Sequence, residues 1–274
     1  MAVLITAREL AEALDFPTPP VVLDVRWQLT AAGGAAYDGR ADYLAGHIPG
    51  AVFVDLDTEL AAPATPTEGR HPLPSIDDLQ ASARRWGIDD GDAVVVYDAT
   101  GNTAAARAWW LLRWAGVADV RLLDGGLGAW AGPLVTGEEV AAQGDVTLTP
   151  GHLPTIELAE IATYQGLLVD ARAAERFRGE TEPIDPKAGH IPGALNAPTS
   201  ENLAPDGTFL PADELRLLFE KAGIDPGRPV AAYCGSGVTA AHEIAALAIA
   251  GIDAALYPGS WSQWSNHDLP VETA

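Results

Sequence analysis

The sequence is poor in sulfur and in basic residues. Its 274 residues include one cysteine and one methionine, and 16 lysines and arginines stand against 38 aspartates and glutamates. A single cysteine cannot form an internal disulfide. The net charge of -22 argues against functions that need a basic face, so we expect neither nucleic acid nor an anionic membrane among the partners.

Long apolar runs are also lacking. No stretch approaches the roughly 18 consecutive apolar residues of a membrane span, because charge or glycine interrupts the alanine-rich segments. Residues 1–10 lack the charged start and long apolar core of a signal peptide. With 48% hydrophobic and 20% charged residues, the chain is expected to be globular, soluble and cytoplasmic, and long enough for two ordinary domains.

The one cysteine lies where a strand pattern gives way to a helix pattern. Cys234 follows the apolar run 229–233 and precedes the turn Gly235-Ser236-Gly237. Loop amides and a helix N-terminus favour the thiolate, which makes Cys234 a candidate nucleophile. The alternative is a small core residue, since free cysteine is among the most buried residue types.

The sequence contains an internal repeat. Four landmarks of the first half recur in the same order in the second half, which indicates two copies of one structural unit. They are the runs 22–26 and 168–172, the Gly-His-Ile-Pro-Gly-Ala segments 46–51 and 189–194, the runs 94–98 and 230–234, and the closing segments 124–130 and 257–264.

Short β-branched runs alternate with helical patterns in each copy. This alternation predicts an α/β fold in which each copy forms a mostly parallel sheet with helices on both faces. Residues 132–154 lack helical periodicity and are interpreted as an interdomain connection, which predicts domains over 1–145 and 146–274. Ligands of open α/β sheets bind beyond the carboxyl ends of strands, where Cys234 lies. Helices are predicted over 75–86, 103–115, 212–222 and 239–250.

These motifs resemble those of a known family. The paired Asp-x-Arg and Gly-His-Ile-Pro-Gly-Ala motifs, the loop 234–240 and the closing segment 259–264 are similar to those of tandem rhodanese-type sulfurtransferases. The resemblance covers nearly the whole chain. It implies two rhodanese-like domains that move sulfane sulfur from a small anionic donor, through a persulfide on Cys234, to cyanide or a thiol acceptor. It implies no cofactor and no metal, and thioredoxin is among the candidate acceptors.

The loop after Cys234 suits an anion. Gly235 and Gly237 let successive backbone N–H groups turn inward, so we assign Gly235, Gly237, Val238 and Thr239 to substrate binding. The Thr239 hydroxyl either caps free amides or binds the persulfide. The run Cys-Gly-Ser-Gly-Val-Thr is similar to that of the 3-mercaptopyruvate branch of the family, and it favours this donor over thiosulfate.

An anionic donor calls for arginine, whose planar fork binds a carboxylate at two points. The resemblance places Arg176 in this role, and Arg178 either shares it or stays at the surface. The mercaptopyruvate branch usually carries another arginine before the second Gly-His-Ile-Pro-Gly motif. Residues 182–187 contain none, which weakens the mercaptopyruvate assignment unless Lys187 stands in for this arginine as a point charge.

The resemblance also implies a proton relay that resolves the charge left on the enolate product. Its candidates are Ser236, His71 and Asp57. Histidine suits this task because its pKa lies near working pH. The spacing between Asp57 and His71 differs from that of the family, and without the resemblance His71 is a loop histidine with no assigned task.

In the first copy, Asp98 occupies the position of Cys234. An aspartate cannot carry a persulfide, so the first domain is predicted to be catalytically inactive. Separate chemistry at Asp98 is the alternative. The repeated Asp-x-Arg pairs are predicted to be ion pairs, because a spacing of two places both side chains on one side of a strand. His47 and His190, in matching turns, are interpreted as hydrogen-bonded structural residues rather than metal ligands.

Two other functions are compatible with a cysteine loop. A phosphatase of similar fold would hold the phosphoryl group with an arginine six residues after the cysteine, and that position is Ala240. A noncatalytic persulfide carrier or sensor for a protein partner would use the same Cys234. A carrier, however, needs no buried Arg176 for a small donor.

Overall fold

The computed structural model describes residues 2–29 and 37–274. Residues 1 and 30–36 of the predicted first domain lie outside the described residues. Two separate parallel sheets, each flanked by helices, follow one another along the chain. The predicted α/β class with two similar domains is confirmed.

The first sheet has five parallel strands in the order β1-β5-β4-β2-β3. The strands are β1 Leu4–Ile5, β2 Val21–Val25, β3 Ala51–Val54, β4 Ala93–Tyr97 and β5 Asp119–Leu123. The helices are α1 Ala7–Leu14, α2 Gly39–Ala45, α3 Leu56–Glu59, α4 Ile76–Arg85, α5 Ala105–Trp114 and α6 Gly126–Ala129.

The second sheet has four parallel strands in the order β7-β6-β8-β9. The strands are β6 Leu167–Asp170, β7 Leu195–Asn196, β8 Val230–Tyr233 and β9 Ala254–Leu256. The helices are α7 Leu158–Ile161, α8 Ala174–Phe177, a 3-10 helix Thr199–Asn202, α9 Ala212–Lys221, α10 Thr239–Ile249 and α11 Ser260–Trp264.

The four predicted helices are present, and the loop before α5 shortens one of them. The sequence pattern starts that helix at residue 103, but the helix begins at Ala105. Asn102 adopts a left-handed φ of 66°, since the loop before it wraps around the side chain of Asp98. A local side-chain bond to the backbone therefore displaces the helix start.

One hydrophobic core cluster spans both domains, and each domain also has a smaller cluster of its own. Helices α5 and α10 follow the central strands β4 and β8, and both are apolar nearly all round. Such helices must be buried on every side. They pack against each other across the domain interface, and their buried side chains belong to a single cluster that spans both domains.

The segment 132–154 carries no helix or strand and runs along the first domain. Val135 pairs with His47, and the Val146 N–H donates to the Ile88 carbonyl. The domain boundary at residue 145 stays a prediction. Among the helices of the described residues, none combines the length and apolar character needed to cross a membrane.

The repeated motifs form matching local structures. Arg26 pairs with Asp24 and Arg172 with Asp170, each with a nitrogen–oxygen distance of 2.6 Å, so the predicted ion pairs are confirmed. The His47 ring stacks on Tyr43, and Nδ1 lies 2.9 Å from the Tyr43 carbonyl. His190 repeats this arrangement with Phe177.

Candidate active site

Cys234 directly follows β8, at the carboxyl end of a central strand, and is 1% exposed. Its N–H donates to Ser260 Oγ, and the Gly237 N–H donates to its Sγ at 3.2 Å. Gly237 has a left-handed φ of 78°, and a Cβ there would lie 2.5 Å from the Pro258 carbonyl oxygen. Only glycine fits at this position, because a side chain would collide with the Pro258 carbonyl. The packing of the loop therefore requires glycine at the residue whose N–H donates to the sulfur.

A cavity of about 260 Å³ opens at Cys234 between the two domains. Of the residues predicted for substrate binding, Gly235, Val238, Thr239 and Arg176 line this cavity. Gly237 is not among the lining residues, and its N–H donates to the sulfur. The other lining residues of the second domain include Ala171, Arg172, Thr199, Ser200 and Ser236, and those of the first domain are Trp27, Leu29 and Arg70.

Two guanidinium groups flank the residue after the cysteine. A Cβ on Gly235 would lie 2.9 Å from Arg70 Nη2 and 3.6 Å from Arg176 Nη1. Arg176 pairs with Glu182 at 2.6 Å, and Arg70 pairs across the domain interface with Asp185. Burial raises the pKa of Asp185, although the Arg70 charge opposes the shift. The two positive charges are thus held in place beside the sulfur by carboxylates.

Ser236, His71 and Asp57 come together across the interface. His71 Nδ1 lies 2.7 Å from Ser236 Oγ, and His71 Nε2 lies 3.3 Å from Asp57 Oδ1, which also accepts from Trp27 Nε1. Burial lowers the pKa of His71 below 6.5, and a hydrogen bond from His71 lowers the pKa of Asp57. At neutral pH the ionised Asp57 therefore accepts from Nε2–H, and Nδ1 is left to accept from the Ser236 hydroxyl.

Sequence reasoning missed three arginines of this site. Arg70 is adjacent to His71 in the sequence, which was an available signal. Arg172 was expected only as a partner of Asp170, yet it also lines the cavity. Arg107 is fully buried and donates to the carbonyl of Gly237, next to the sulfur. A charged residue within the apolar pattern 104–112 was the signal for this one.

Other candidates lie outside the cavity. Arg178 pairs with Glu180 at the surface. Lys187 Nζ donates to the carbonyl of His267 at 2.6 Å, so it does not stand in for the missing arginine. The second guanidinium beside the cysteine loop belongs to Arg70 instead.

In the first domain, the equivalent loop closes on its own aspartate. Asp98 is 1% exposed, and its carboxylate accepts four hydrogen bonds from backbone N–H groups. The donors are Thr100 at 2.7 Å, Asn102 at 2.7 Å, Ala104 at 2.8 Å and Ala105 at 3.1 Å. This loop is an anion cradle whose anion is a side chain of the protein.

Comparisons with known proteins agree with this architecture. The Rhodanese-like domain family matches twice, over residues 6–133 and 156–267. A Mycobacterium tuberculosis protein, whose name suggests a thiosulfate sulfurtransferase, is 50% identical over 272 residues, covering 96% of this chain and 94% of that protein. A Pseudomonas aeruginosa protein, whose name suggests a 3-mercaptopyruvate sulfurtransferase, is 46% identical, covering 99% and 98%.

A solved structure is similar over nearly the same length. The crystal structure of SseA from Escherichia coli, described as a 3-mercaptopyruvate sulfotransferase, superposes with a TM-score of 0.81 at 32% identity, covering 95% of this chain and 99% of that one. The chain belongs to the rhodanese family, with one family domain in each half. With relatives of 46–50% identity that carry this name, it is a sulfurtransferase. The alternative of a noncatalytic carrier is not favoured.

Proposed function

We propose that this enzyme takes sulfane sulfur from 3-mercaptopyruvate, holds it as a persulfide on Cys234 and passes it to a thiol or to cyanide. The observation that carries the proposal is the position of Cys234. Its sulfur sits in a glycine loop at a cavity flanked by Arg70 and Arg176, with the Ser236 hydroxyl on the same wall. The cavity thus joins a nucleophile, a subsite for a carboxylate and a group that can move a proton.

In the first half-reaction, the Cys234 thiolate attacks the sulfur of the donor. A sulfur–sulfur bond forms, the carbon–sulfur bond breaks, and its electron pair passes to the carbon as the enolate of pyruvate. The proton of the donor thiol moves through Ser236 Oγ to His71 Nδ1, and Asp57 stabilises the resulting imidazolium. The same proton then returns to the enolate carbon, so the products are pyruvate and the persulfide anion.

In the second half-reaction, an acceptor attacks the outer sulfur of the persulfide. Cyanide leaves as thiocyanate, or a thiolate leaves as its own persulfide, and in both cases the Cys234 thiolate is restored. No electron or proton is left over. The chain therefore needs no second cysteine to complete the cycle.

The arginines support a carboxylate-bearing donor. Nitrogen atoms of Arg70 and Arg176 both lie within 4 Å of the position that a Cβ of Gly235 would take, so a carboxylate in this part of the cavity would be bound by both guanidiniums. The relay favours mercaptopyruvate further, because this donor leaves an enolate that must be protonated. Thiosulfate leaves sulfite, which needs no such step.

The acceptor and the compartment belong to the same proposal. A lone thiol without a disulfide suits a reducing compartment such as the cytoplasm, where thiol acceptors are abundant. Reduced thioredoxin is the proposed protein acceptor. It is tested by the rate at which pyruvate appears when thioredoxin replaces cyanide, with a thioredoxin whose cysteines are serines as the control.

The donor is tested by kcat/KM for sulfur transfer to cyanide from 3-mercaptopyruvate and from thiosulfate, in the parent and in Cys234→Ser. A preference for mercaptopyruvate that is lost with Cys234 is expected. Mass spectrometry of the parent after a single turnover should find one added sulfur on the peptide of Cys234. A preference for thiosulfate would overturn the donor assignment, and an unmodified Cys234 would overturn the persulfide.

The subsite is tested by three arginine variants. Arg70→Gln and Arg176→Gln are each expected to raise KM for mercaptopyruvate about tenfold to a hundredfold, because each removes one charge-assisted contact. Arg178→Gln is the matched control, since it lies on the same helix end as Arg176 but pairs with Glu180 at the surface. Equal effects in all three variants would mean that overall charge, and not this subsite, binds the donor.

A further inference from the structure

Arg107 is a fully buried arginine on α5, the first-domain helix that packs against α10. Its Nε donates to the Leu60 carbonyl at 3.2 Å, Nη2 to the His71 carbonyl at 3.0 Å, and Nη1 to the Gly237 carbonyl at 3.2 Å. All of these partners are uncharged. Across residues 2–29 and 37–274, no carboxylate pairs with this guanidinium.

The other charged groups around the cysteine loop differ in this respect. Each of them has a carboxylate partner, so their charges are already balanced within the protein. The pairs are Arg70 with Asp185, Arg172 with Asp170, and Arg176 with Glu182, while His71, which lies against Asp57, is neutral at neutral pH. Among the described groups that face the loop, the unbalanced positive charge is that of Arg107.

A buried charge without a counter-charge is costly, and the burial of Arg107 lowers its pKa to about 10. The negative charge that acts against this shift is that of Cys234. Gly237 connects the two groups, because its carbonyl accepts from Arg107 and its N–H donates to Cys234 Sγ. Gly237 thus separates the Arg107 cation from the sulfur of Cys234, and this sulfur, when ionised, is the anion that balances the arginine.

We propose that Arg107 is a positioning residue through which the first domain supplies the counter-charge for the anionic sulfur of Cys234. The carbonyl that it binds shares a peptide unit with the N–H of Val238, so the cation makes this amide a stronger donor at the cavity wall. Its bond to the His71 carbonyl fixes the histidine relative to the cysteine loop. The proposal rests on the proposed function in taking Cys234 as the reacting thiol and His71 as the proton acceptor.

The test is alkylation of the single thiol by iodoacetamide, followed by mass spectrometry over a range of pH. Arg107→Gln is expected to move the pH midpoint of alkylation upward by about one pH unit, because the thiolate loses a nearby positive charge. Arg113→Gln is the matched control, an arginine on the same helix that lies over Trp109, and it should keep the parental midpoint. A folded Arg107→Gln protein with an unchanged midpoint overturns the proposal.

Arg107→Lys separates charge from geometry. It keeps the cation but loses the fork that binds several carbonyls, so the midpoint should stay near that of the parent while kcat for mercaptopyruvate falls, since His71 is no longer held. If the midpoint in Arg107→Lys moves as far as in Arg107→Gln, the lost bonds to the carbonyls cause the shift. The proposal that Arg107 acts as a counter-charge would then be wrong.

A second measurement needs no Arg107 variant and applies even where Arg107→Gln fails to fold. Thermal unfolding of the parent and of Cys234→Ser is compared between about pH 6 and 10. The parent should gain stability over the serine variant as the pH rises, because the ionised sulfur then supplies the negative charge that Arg107 lacks, whereas the serine hydroxyl stays neutral. A constant difference overturns the proposal. Neither alkylation nor thermal unfolding involves sulfur transfer, so a negative result in these two tests leaves the proposed function standing.

Discussion

The two copies of the cysteine-type loop are specialised in opposite directions. In the first domain the anion is the Asp98 carboxylate, and four amides close around it. In the second domain the sulfur of Cys234 accepts one amide N–H, that of Gly237, among the described residues, and the loop faces a cavity. The fold therefore offers an anion cradle at the end of its central strand. The proposed mechanism requires that the loop of the second domain stay open to the anionic donor, which enters from solvent.

The most direct way to break this comparison is to make the second loop a copy of the first. Cys234→Asp should reduce sulfur transfer from either donor at least about 10³-fold, because a carboxylate cannot carry sulfane sulfur. The fold should persist, since the loop amides can bind a carboxylate as they do at Asp98. Steady-state kinetics and thermal unfolding measure the two effects. Activity within about tenfold of the parent would mean that another group carries the sulfur.

Each of the two loops carries a hydroxyl group at the second residue after Cys234 or Asp98, and removing these hydroxyls tests whether only the second loop takes part in proton transfer. Ser236→Ala should lower kcat for mercaptopyruvate about a hundredfold, because the path from the donor to His71 is cut. Thiosulfate turnover should change little. The matched control is Thr100→Ala, since Thr100 holds the same place in the first loop and contacts Thr103 instead of a histidine. A parallel loss for both donors in Ser236→Ala would contradict the relay and point to a role of Ser236 in the loop itself.

The relay also predicts a pH dependence that the first loop cannot produce. His71 must be neutral to accept a proton, and burial lowers its pKa below 6.5. Turnover of mercaptopyruvate should therefore persist below pH 6.5 and decline only at lower pH. Asp57→Asn removes a group that opposes the lowered pKa, so the decline should move to still lower pH. Profiles of kcat against pH for both proteins check this, and a shift toward higher pH in Asp57→Asn would refute it.

The smallest effect on activity is expected at the first loop. Asp98→Asn replaces the carboxylate with an amide, whose N–H groups cannot accept from the surrounding backbone. The free energy of unfolding should fall by about 2 kcal/mol, while kcat/KM changes less than about twofold. Denaturant unfolding and steady-state kinetics measure both. A large loss of activity in a stable Asp98→Asn protein would show that the first loop takes part in the chemistry.

The fold was predictable from the sequence to a large extent. Each copy carries the alternation of buried strands and helices that a parallel sheet requires, and the repeat doubles the signal. The start of α5 was missed by two residues, because the hydrogen bonds of Asp98 override the helical pattern of residues 103–104. The periodicity of apolar residues along the sequence does not reveal a side chain that accepts hydrogen bonds from the backbone of its own loop.

The candidate site was predictable in part. Cys234 stands out because its flanking strand and glycines are local in sequence. The contacts of Arg70 and Arg107 are not local, since they join residues 115 and 130 positions apart, and no pattern of spacing records them. The missing arginine before the second Gly-His-Ile-Pro-Gly motif illustrates this. Arg70 reaches the same cavity from the other domain, whereas the neighbouring Lys187 points to the C-terminal segment.

The single thiol of the chain sets the stoichiometry of any sulfur that it stores. A persulfide next to a second cysteine is discharged when the two sulfurs close a disulfide and release sulfide. Cys234 has no such neighbour in the sequence, and it is 1% exposed. Under the proposed persulfide mechanism, one chain thus holds one sulfur equivalent, and that equivalent leaves when an outside nucleophile enters the cavity. In this mechanism the acceptor, and not a second thiol of the enzyme, sets the rate at which the stored sulfur is released.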